Sequence, residues 1–397
     1  MTEPLPDNLL IDETSPAPLK FLQISTVDLT PYCFFRNWFR YLGDEGYQVT
    51  LATTVVQFRQ ELEATGAVVV HIPMARGINP VMDFISLVRL WRFMKKEKFH
   101  MVQTYTTKAG FIGRLAARLA GVPVIFHNIL EPPHNSTKNP LLRAFYIWME
   151  RLAGTWAHHL FTTTSPNLRE ILDKKLAPPD KITAIPEGLM LEKYDRVRVN
   201  PEEKRRELGI SPDDVFILTV ARLETPKGHT YLMEASAKLL RKRQDLHFIC
   251  VGKGNLRQQL EHKAEALGIA NRFRYMGFRY DHLEIIRSCD LFVLPSLWEG
   301  QGVAIMEAMA LKKPVVACKV GGVVDVIDEG VTGLMVPPRD PGALAEAIEE
   351  ILTDTRKMEE MGRAGYARIR DSFDEAKFNE TRLKKVREVY QRVTEKR

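Results

Sequence analysis

The run Asp290-Leu291-Phe292-Val293-Leu294-Pro295, followed by Ser296-Leu297-Trp298-Glu299-Gly300-Gln301-Gly302-Val303-Ala304-Ile305-Met306-Glu307-Ala308-Met309-Ala310, decides how the rest of the chain is read. Its first part is short and continuously apolar, the pattern of a strand buried on both faces of a parallel sheet. Its second part, rich in Ala and Met, reads as a helix. Two glycines and one acid lie between them, and a second acid follows inside the helix. Strand, glycine loop and helix N-terminus in series bring free N–H groups and the helix dipole to one point, which suits an anionic or polar ligand.

Similar short apolar runs recur on both sides of this stretch. Before it they fall at Lys20–Ile24, Gln48–Ala52, Ala67–Ile72, Met101–Thr104, Pro123–Phe126, Leu160–Thr164 and Ile182–Ile185. Helical patterns separate most of them. One runs from Pro31 to Leu42 with Phe34, Phe35, Trp38 and Leu42 on a common face. Another, from Gly110 to Ala120, is built of small residues that pack close to a sheet. Near residue 200 the pattern resets. Asn200-Pro201-Glu202-Glu203-Lys204 is polar and reads as a linker, and a new series opens at Val215–Val220. It continues at Leu246–Val251, Phe273–Met276, Asp290–Leu294, Val315–Cys318 and Leu334–Val336. Strands alternating with helices predict an α/β chain of two successive Rossmann-like domains, each with a doubly wound parallel sheet. The expected boundaries are a disordered, proline-rich tail over 1–18, one domain over 19–198 and a second over 199–374. A last amphipathic helix, 375–397, has no strand after it and is free to cross back to the first domain.

Length and composition agree with this plan. A chain of 397 residues accommodates two domains of roughly 200 residues each. Its 45% hydrophobic and 27% charged content is that of a globular protein. Cys33, Cys250, Cys289 and Cys318 lie far apart without metal-ligand spacing, so they read as reduced core residues. The first residues are acidic and proline-rich, not basic then apolar, so no signal peptide is expected. No apolar stretch is long enough to span a bilayer. A cytoplasmic protein, or one peripheral to a membrane, is the expectation. The net charge is +6, and residues 1–18 carry Glu3, Asp7, Asp12 and Glu13 without a base, so the remainder carries +10. Such a body suits anionic partners, phosphates or phospholipid headgroups among them. The basic amphipathic segment Ile85–Lys96 reads either as an ordinary helix covering the sheet or as a contact with an anionic membrane.

Three further features carry chemistry. Arg222 and Lys227, in Ala221-Arg222-Leu223-Glu224-Thr225-Pro226-Lys227-Gly228, sit on a loop at the carboxyl end of a strand, where two cations can neutralise a diphosphate. Gly252-Lys253-Gly254 ends the next strand at a similar turn, but matches neither the dinucleotide fingerprint nor a Walker loop. Glu299 and Glu307 are eight residues apart, so on a helix they would differ by roughly 80° and could face one cleft. Glu307 could then accept two hydroxyls in bidentate fashion. The amides of Gln301, Gly302 and Val303 would serve an anion.

Glu299-Gly300-Gln301-Gly302 running to Glu307-Ala308-Met309-Ala310 resembles the acid-x7-acid motif of retaining glycosyltransferases of family 4 (group 1), which have the GT-B fold. Pro314-Val315-Val316-Ala317, Gly321-Gly322 and Gly330-Val331-Thr332-Gly333-Leu334-Met335-Val336-Pro337 continue the resemblance in the expected order. Arg222 and Lys227 match the family's diphosphate pair. In the first half, Thr107-Lys108-Ala109-Gly110 and Gly113-Arg114-Leu115-Ala116-Ala117-Arg118-Leu119-Ala120-Gly121 are also similar to it.

The resemblance implies a central cleft between an acceptor-side first domain and a second domain that binds a nucleotide sugar, a UDP-sugar being favoured. It implies Glu307 at the ribose, Arg222 and Lys227 at the diphosphate, and Glu299 at the sugar hydroxyls. Phe278 and Arg279 fall where the family contacts the base. Gly252, Gly300, Gln301, Gly302 and Val303 complete the expected donor site. It further implies a metal-independent reaction that retains anomeric configuration, no cofactor, and no nucleic-acid partner. The acceptor would be a glycan or lipid-linked molecule in cell-surface polysaccharide or glycoconjugate synthesis, at the inner face of the cell membrane. Glu299, Arg222, Lys227 and His127 are the expected catalytic residues, with Lys108 and His134 on the acceptor side. Two rival readings are a nucleotide-sugar epimerase of the same fold and an inactive donor-binding scaffold. Three positions depart from the family: Thr26-Val27-Asp28-Leu29-Thr30-Pro31 stands where a glycine-rich loop is usual, Glu187-Gly188 replaces Asn-Gly, and His127 and His134 both compete for the acceptor-side histidine.

Overall fold

The computed structural model describes residues 18–395, apart from 76, 78, 131, 133–136 and 138. The expected tail therefore lies outside the described residues but for its last position. All thirteen expected strands form: β1 Lys20–Val27, β2 Gln48–Thr54, β3 Val68–His71, β4 Met101–Tyr105, β5 Val124–Ile129, β6 His159–Thr162, β7 Ile182–Ala184, β8 Val215–Val220, β9 Leu246–Val251, β10 Phe273–Gly277, β11 Leu291–Leu294, β12 Val315–Cys318 and β13 Leu334–Val336. They make two sheets, ordered β3-β2-β1-β4-β5-β6-β7 and β10-β9-β8-β11-β12-β13. The pairings of β1 with β2 and β4, and of β8 with β9 and β11, are parallel. In each sheet the chain reverses its winding beside the first strand, at β1/β4 and at β8/β11. Ligands of doubly wound sheets bind outside the carboxyl ends of the strands at such a point.

Within the described residues the chain divides into two compact units, one of Met1–His127, Trp156–His158 and Val389–Arg397, the other of Asn128–Thr155 and His159–Glu388. In the first, Leu22, Ile24, Val102 and Ile125 of the sheet pack with Leu90, Met94, Ala109 and Ala116 of the helices. The second has a cluster around Phe248, Phe273 and Val293 and another around Phe216, Phe292 and Ile305.

Several local readings are corrected. The single helix expected over Pro31–Leu42 is two, Leu29–Phe34 and Arg36–Asp44, broken at Phe35 with φ −126° and ψ 1°. The break changes the helical phase, so Phe34 is exposed and Phe39 takes the inward position beside Trp38 and Leu42. Asn200–Lys204 is not an extended linker. Asn200 accepts from the N–H groups of Glu202 and Glu203, Pro201 opens the first turn, and the helix Pro201–Glu207 follows. Cys250, Cys289 and Cys318 are buried and unpaired as expected, but Cys33 is exposed. Its position on the short helix Leu29–Phe34, which buries only Pro31, explains this.

Candidate functional site

In the second unit, the loops after β8 and β11 lie against each other at the switch point. The Leu297 N–H donates to the Pro226 carbonyl at 2.8 Å. Gly228 makes this approach possible. It has φ +66°, and a Cβ there would stand 1.9 Å from the Pro295 carbonyl oxygen. Across this seam the Lys227 ammonium donates to Glu299 Oε1 at 2.6 Å, and the Ser296 hydroxyl donates to the same oxygen at 2.8 Å. Glu299 is 8% exposed, so its carboxylate is held in one place by two donors. His229 opens the helix His229–Leu240 and donates through Nε2 to the Arg222 carbonyl at 3.0 Å. Burial lowers its pKa, and Lys227 adds to this while the bond to Arg222 opposes it. A cavity of about 200 Å³, lined in part by Thr225, His229, Tyr231, Leu256 and Leu297, opens beside the loop.

The Arg222 guanidinium projects into solvent with 67% exposure and pairs with Glu224 at 2.7 Å. It is the unburied member of the expected cation pair. Gly252, at φ +152°, faces the Ala221 carbonyl so closely that a Cβ would sit 1.9 Å from its oxygen. Its demonstrable work is to let the β9 turn lie on the β8 loop.

After β11 the chain turns at Gly302, φ +77°, into the helix Val303–Ala310. The Gly300 carbonyl accepts from the Gly322 N–H at 2.6 Å, which ties this turn to the segment after β12. Glu307 lies one turn into the helix. Its Oε1 accepts from the Tyr194 hydroxyl at 3.3 Å, and its Oε2 lies 3.8 Å from His282 Nε2. The anion contact expected of Gln301 is through its backbone amide, and its side chain is engaged with Glu187. Glu187 N–H donates to its Oε1 at 2.8 Å, and its Nε2 donates to the Glu187 carbonyl at 2.7 Å. The Glu187 carboxylate meets Arg382 of the last helix at 3.3 Å. Burial raises the Glu187 pKa and Arg382 opposes the rise.

Phe278 is half exposed, with the Lys253 ammonium 5.5 Å above its ring and Tyr280 edge-on at 4.9 Å. Arg279 is drawn away from it. The guanidinium grips Asp281 at 2.7 and 2.6 Å and Glu207 at 2.5 Å, in a cluster that Lys204 completes. Hydrogen bonding to Arg279, aided by Lys204, holds the Asp281 carboxyl well below its usual range. The structure thus brings Lys227, Glu299 and Ser296 together and gives Glu307 its own polar neighbours. It commits Arg279 to a structural cluster. Ser296, Tyr194, His229 and Arg382 were missed by sequence reasoning: Tyr194 and Arg382 act through partners distant in sequence, and Ser296 and His229 act on near neighbours through side-chain directions that the sequence does not give. Only Glu187 left a signal, as a departure from the usual Asn.

In the first unit, the switch point between β1 and β4 is bridged by the Thr26 and Thr106 hydroxyls, 2.7 Å apart. Thr106 has φ +64° and ψ 156°, a region that side chains rarely occupy. No glycine loop follows β1. Instead Asp28 Oδ2 accepts from the N–H groups of Val56, Gln57 and Phe58 at 2.7, 2.7 and 2.9 Å. Burial alone would raise its pKa, but these bonds bring it below the usual value. Lys108 pairs with Asp83 at 2.7 Å and donates to the Gly77 carbonyl. His127, 2% exposed, places Nδ1 3.1 Å from the Thr104 carbonyl and 2.8 Å from its hydroxyl. A carbonyl only accepts, so Nδ1 carries the proton and Nε2 keeps its lone pair. Burial first and Arg114 second push the His127 pKa well below 6.5, against the Thr104 bond, which leaves the ring neutral. His134 lies outside the described residues.

Residues 200–368 match the family model described as "Glycosyl transferases group 1", and residues 34–188 match "Glycosyl transferase 4-like domain". The chain is 30% identical over 321 residues to the UDP-Gal:alpha-D-GlcNAc-diphosphoundecaprenol alpha-1,3-galactosyltransferase of Escherichia coli, covering 80% of this chain and 81% of that protein. It is 27% identical to the capsular polysaccharide biosynthesis glycosyltransferase CapM of Staphylococcus aureus, over 76% of this chain and 80% of CapM. Among solved structures, Anabaena HepE in complex with UDP superposes with a TM-score of 0.79 at 20% identity, covering 94% of this chain and all of that one.

Proposed function

The chain belongs to the group 1 glycosyltransferases, family 4 of the GT-B fold, and from that premise we propose that it moves a sugar from a UDP-sugar to a lipid-linked diphosphate acceptor, with retention and without a metal. The observation that carries this reading is the 2.6 Å contact between Lys227 and Glu299 at the switch point of the second sheet, with Glu307 on the helix that follows.

In this reading Lys227 and Arg222 face the donor diphosphate, joined by the amides of Gly302 and Val303. The exposed Arg222 closes on the ligand from solvent. Glu307, already accepting from Tyr194, takes the ribose hydroxyls. Glu299 takes sugar hydroxyls, positioned by Lys227 and Ser296. Phe278, with Lys253 above it, offers a face to the base, and Gly252 and Gly300 shape the turns. The acceptor oxygen attacks the anomeric carbon from the face the leaving phosphate occupies. The carbon–oxygen bond to the phosphate breaks, the bond to the acceptor forms, and the acceptor proton passes to a phosphate oxygen. Negative charge grows on the departing diphosphate, and the two cations and helix amides are placed to stabilise it. That is the work a metal would otherwise do. On the acceptor side, neutral His127 would accept a hydroxyl through Nε2, and Lys108 would exchange Asp83 for an acceptor phosphate.

A lipid-linked acceptor implies work at the inner face of the cell membrane. In support, the helix Pro80–Glu97 exposes Val81, Phe84 and Trp91 beside Arg92, Lys95 and Lys96. Among the described residues no helix is long and apolar enough to cross a membrane.

A thermal-shift screen of UDP-, GDP- and ADP-sugars tests the donor, since a ligand that binds the folded state raises apparent stability. Stabilisation by a UDP-sugar alone, slow release of UDP, and turnover unchanged by EDTA are expected. A changed sugar without transfer would instead mark an epimerase, and loss of turnover in EDTA would overturn metal independence.

A further inference from the structure

The helix Pro140–Gly154, in the second unit, has no part in the donor site. Its outer face is unusual. Leu141, Phe145, Trp148 and Leu152 are 81%, 46%, 58% and 37% exposed. At 100° per residue they fall within a stripe about 60° wide, at a spacing of four, three and four residues. The opposite face, with Glu150, Ala153 and Gly154, is buried. Phe145 and Trp148 stack at 6.2 Å, so the exposed aromatic surface is continuous.

The exposed charges of the helix itself have one sign. Glu150 is the helix's single acid and points inward, whereas Arg143 and Arg151 are exposed. Arg151 borders the stripe and donates twice to the Lys174 carbonyl, which brings it beside Lys174 and Lys175.

We propose that this stripe is a membrane wedge: the helix lies in the plane of an anionic bilayer, with Leu141, Phe145, Trp148 and Leu152 among the outer acyl chains and Arg151 and its lysine neighbours at the headgroups. The inference rests on the lipid-linked acceptor reading and names the segment that would hold the enzyme to its substrate's membrane. Charge complementarity selects an anionic surface. Size argues against a second copy of the chain. The stripe is roughly 17 Å long and one side chain wide, on the order of a fifth of the ~800 Å² that each partner gives to a stable interface. An interfacial helix seats its apolar face roughly 5–10 Å into the headgroup boundary, with a strength set by the apolar area it buries and its attraction to anionic lipid. A tryptophan there can keep its N–H among the headgroups.

The test is flotation of the full chain with phosphatidylcholine vesicles containing phosphatidylglycerol. The wild type should float, and Phe145→Ser/Trp148→Ser should lose at least tenfold in bound fraction while its UDP-induced thermal shift is unchanged. Equal flotation of the wild type and this variant would overturn the wedge and leave the membrane reading standing, with Arg92→Glu/Lys95→Glu then expected to abolish binding. If the wild type does not float at low salt, the membrane reading fails and the wedge with it. A wild-type dimer that the double variant converts to a monomer in light scattering would assign the stripe to a second copy and also overturn it. Should the double variant misfold, Trp148→Phe serves: tryptophan quenching by brominated lipid should fall relative to wild type, and unchanged quenching would contradict insertion.

Discussion

Gln301 and Glu187 are joined by two opposed hydrogen bonds, 2.8 Å from the Glu187 N–H to Oε1 and 2.7 Å from Nε2 to the Glu187 carbonyl. A side-chain amide thus imitates a strand neighbour for a segment 114 residues away. Gln301 immediately precedes the Gly302 turn that starts the helix bearing Glu307. The same segment reaches Arg382 through the Glu187 carboxylate. The turn between Glu299 and Glu307 is therefore fixed from outside itself.

Replacing Gln301 with Leu should weaken UDP binding about tenfold, equivalent to about 1.4 kcal/mol. Leu fills similar volume but leaves the Glu187 N–H and carbonyl without their partner. A stability loss of about 2 kcal/mol should accompany it, the cost of buried groups left unsatisfied. Calorimetric titration with UDP and urea unfolding measure the two effects. Unchanged affinity would show that the turn holds without the side-chain amide.

Glu307→Ala should remove most UDP affinity, whereas Tyr194→Phe should reduce it only a few-fold. The tyrosine hydroxyl touches one carboxylate oxygen at 3.3 Å, so losing it frees the orientation of Glu307 but not its charge. Titration of both variants with UDP and with uracil separates the ribose contribution. If Glu307→Ala binds UDP as the wild type does, the ribose assignment is wrong.

The strands were legible because a strand buried on both faces is a continuous apolar run, and Phe292-Val293-Leu294 is one. Their ends were less so. β1 runs on through Ser25 and Thr26, and β5 through His127 and Asn128, where polar side chains are buried at the carboxyl edge. The acid pair and the cation loop were legible as motifs, since each lies within a few residues of a strand end. What they touch was not. The sequence does not reveal that Asp281 and Glu207 surround the Arg279 guanidinium, or that the Gln301 side chain meets Glu187. Such pairings depend on which loops the sheet order brings together. The helix Pro140–Gly154 left its own kind of gap: an apolar stripe reads as core unless exposure is known.

Lys227 and Arg222 should separate in stability while agreeing in turnover. Each change to Ala should lower turnover roughly 100- to 1,000-fold if both cations meet the leaving diphosphate. Arg222 is mostly exposed, so its loss should leave urea unfolding nearly unchanged. Loss of Lys227 strips the buried Glu299 of its charged partner and should cost about 1.5–3 kcal/mol. Adding Glu299→Gln to Lys227→Ala should recover part of that stability and none of the turnover. Full recovery of turnover in the double variant would reduce Lys227 to a counter-ion.

His127 should leave a signature in the pH dependence of stability. Burial keeps its folded pKa well below the 6.5 of an unhindered imidazole, so the folded ring stays neutral while the unfolded chain takes up a proton as pH falls below about 6.5. Where the unfolded state binds more protons, stability rises with pH. The contribution of His127 is thus intact above pH 6.5 and is lost progressively as pH falls toward the folded pKa, by up to about 1.4 kcal/mol per pH unit. His127→Asn keeps a donor to the Thr104 carbonyl but cannot titrate. Its unfolding free energy will be lower at every pH because the smaller side chain leaves space, yet it should decline less steeply than the wild type between pH 6.5 and 5. His229 and His247 are also depressed and persist in both proteins, so the difference between the two slopes isolates His127. Parallel slopes would mean that the folded ring takes up its proton as readily as the unfolded one, and would contradict a pKa lowered by burial.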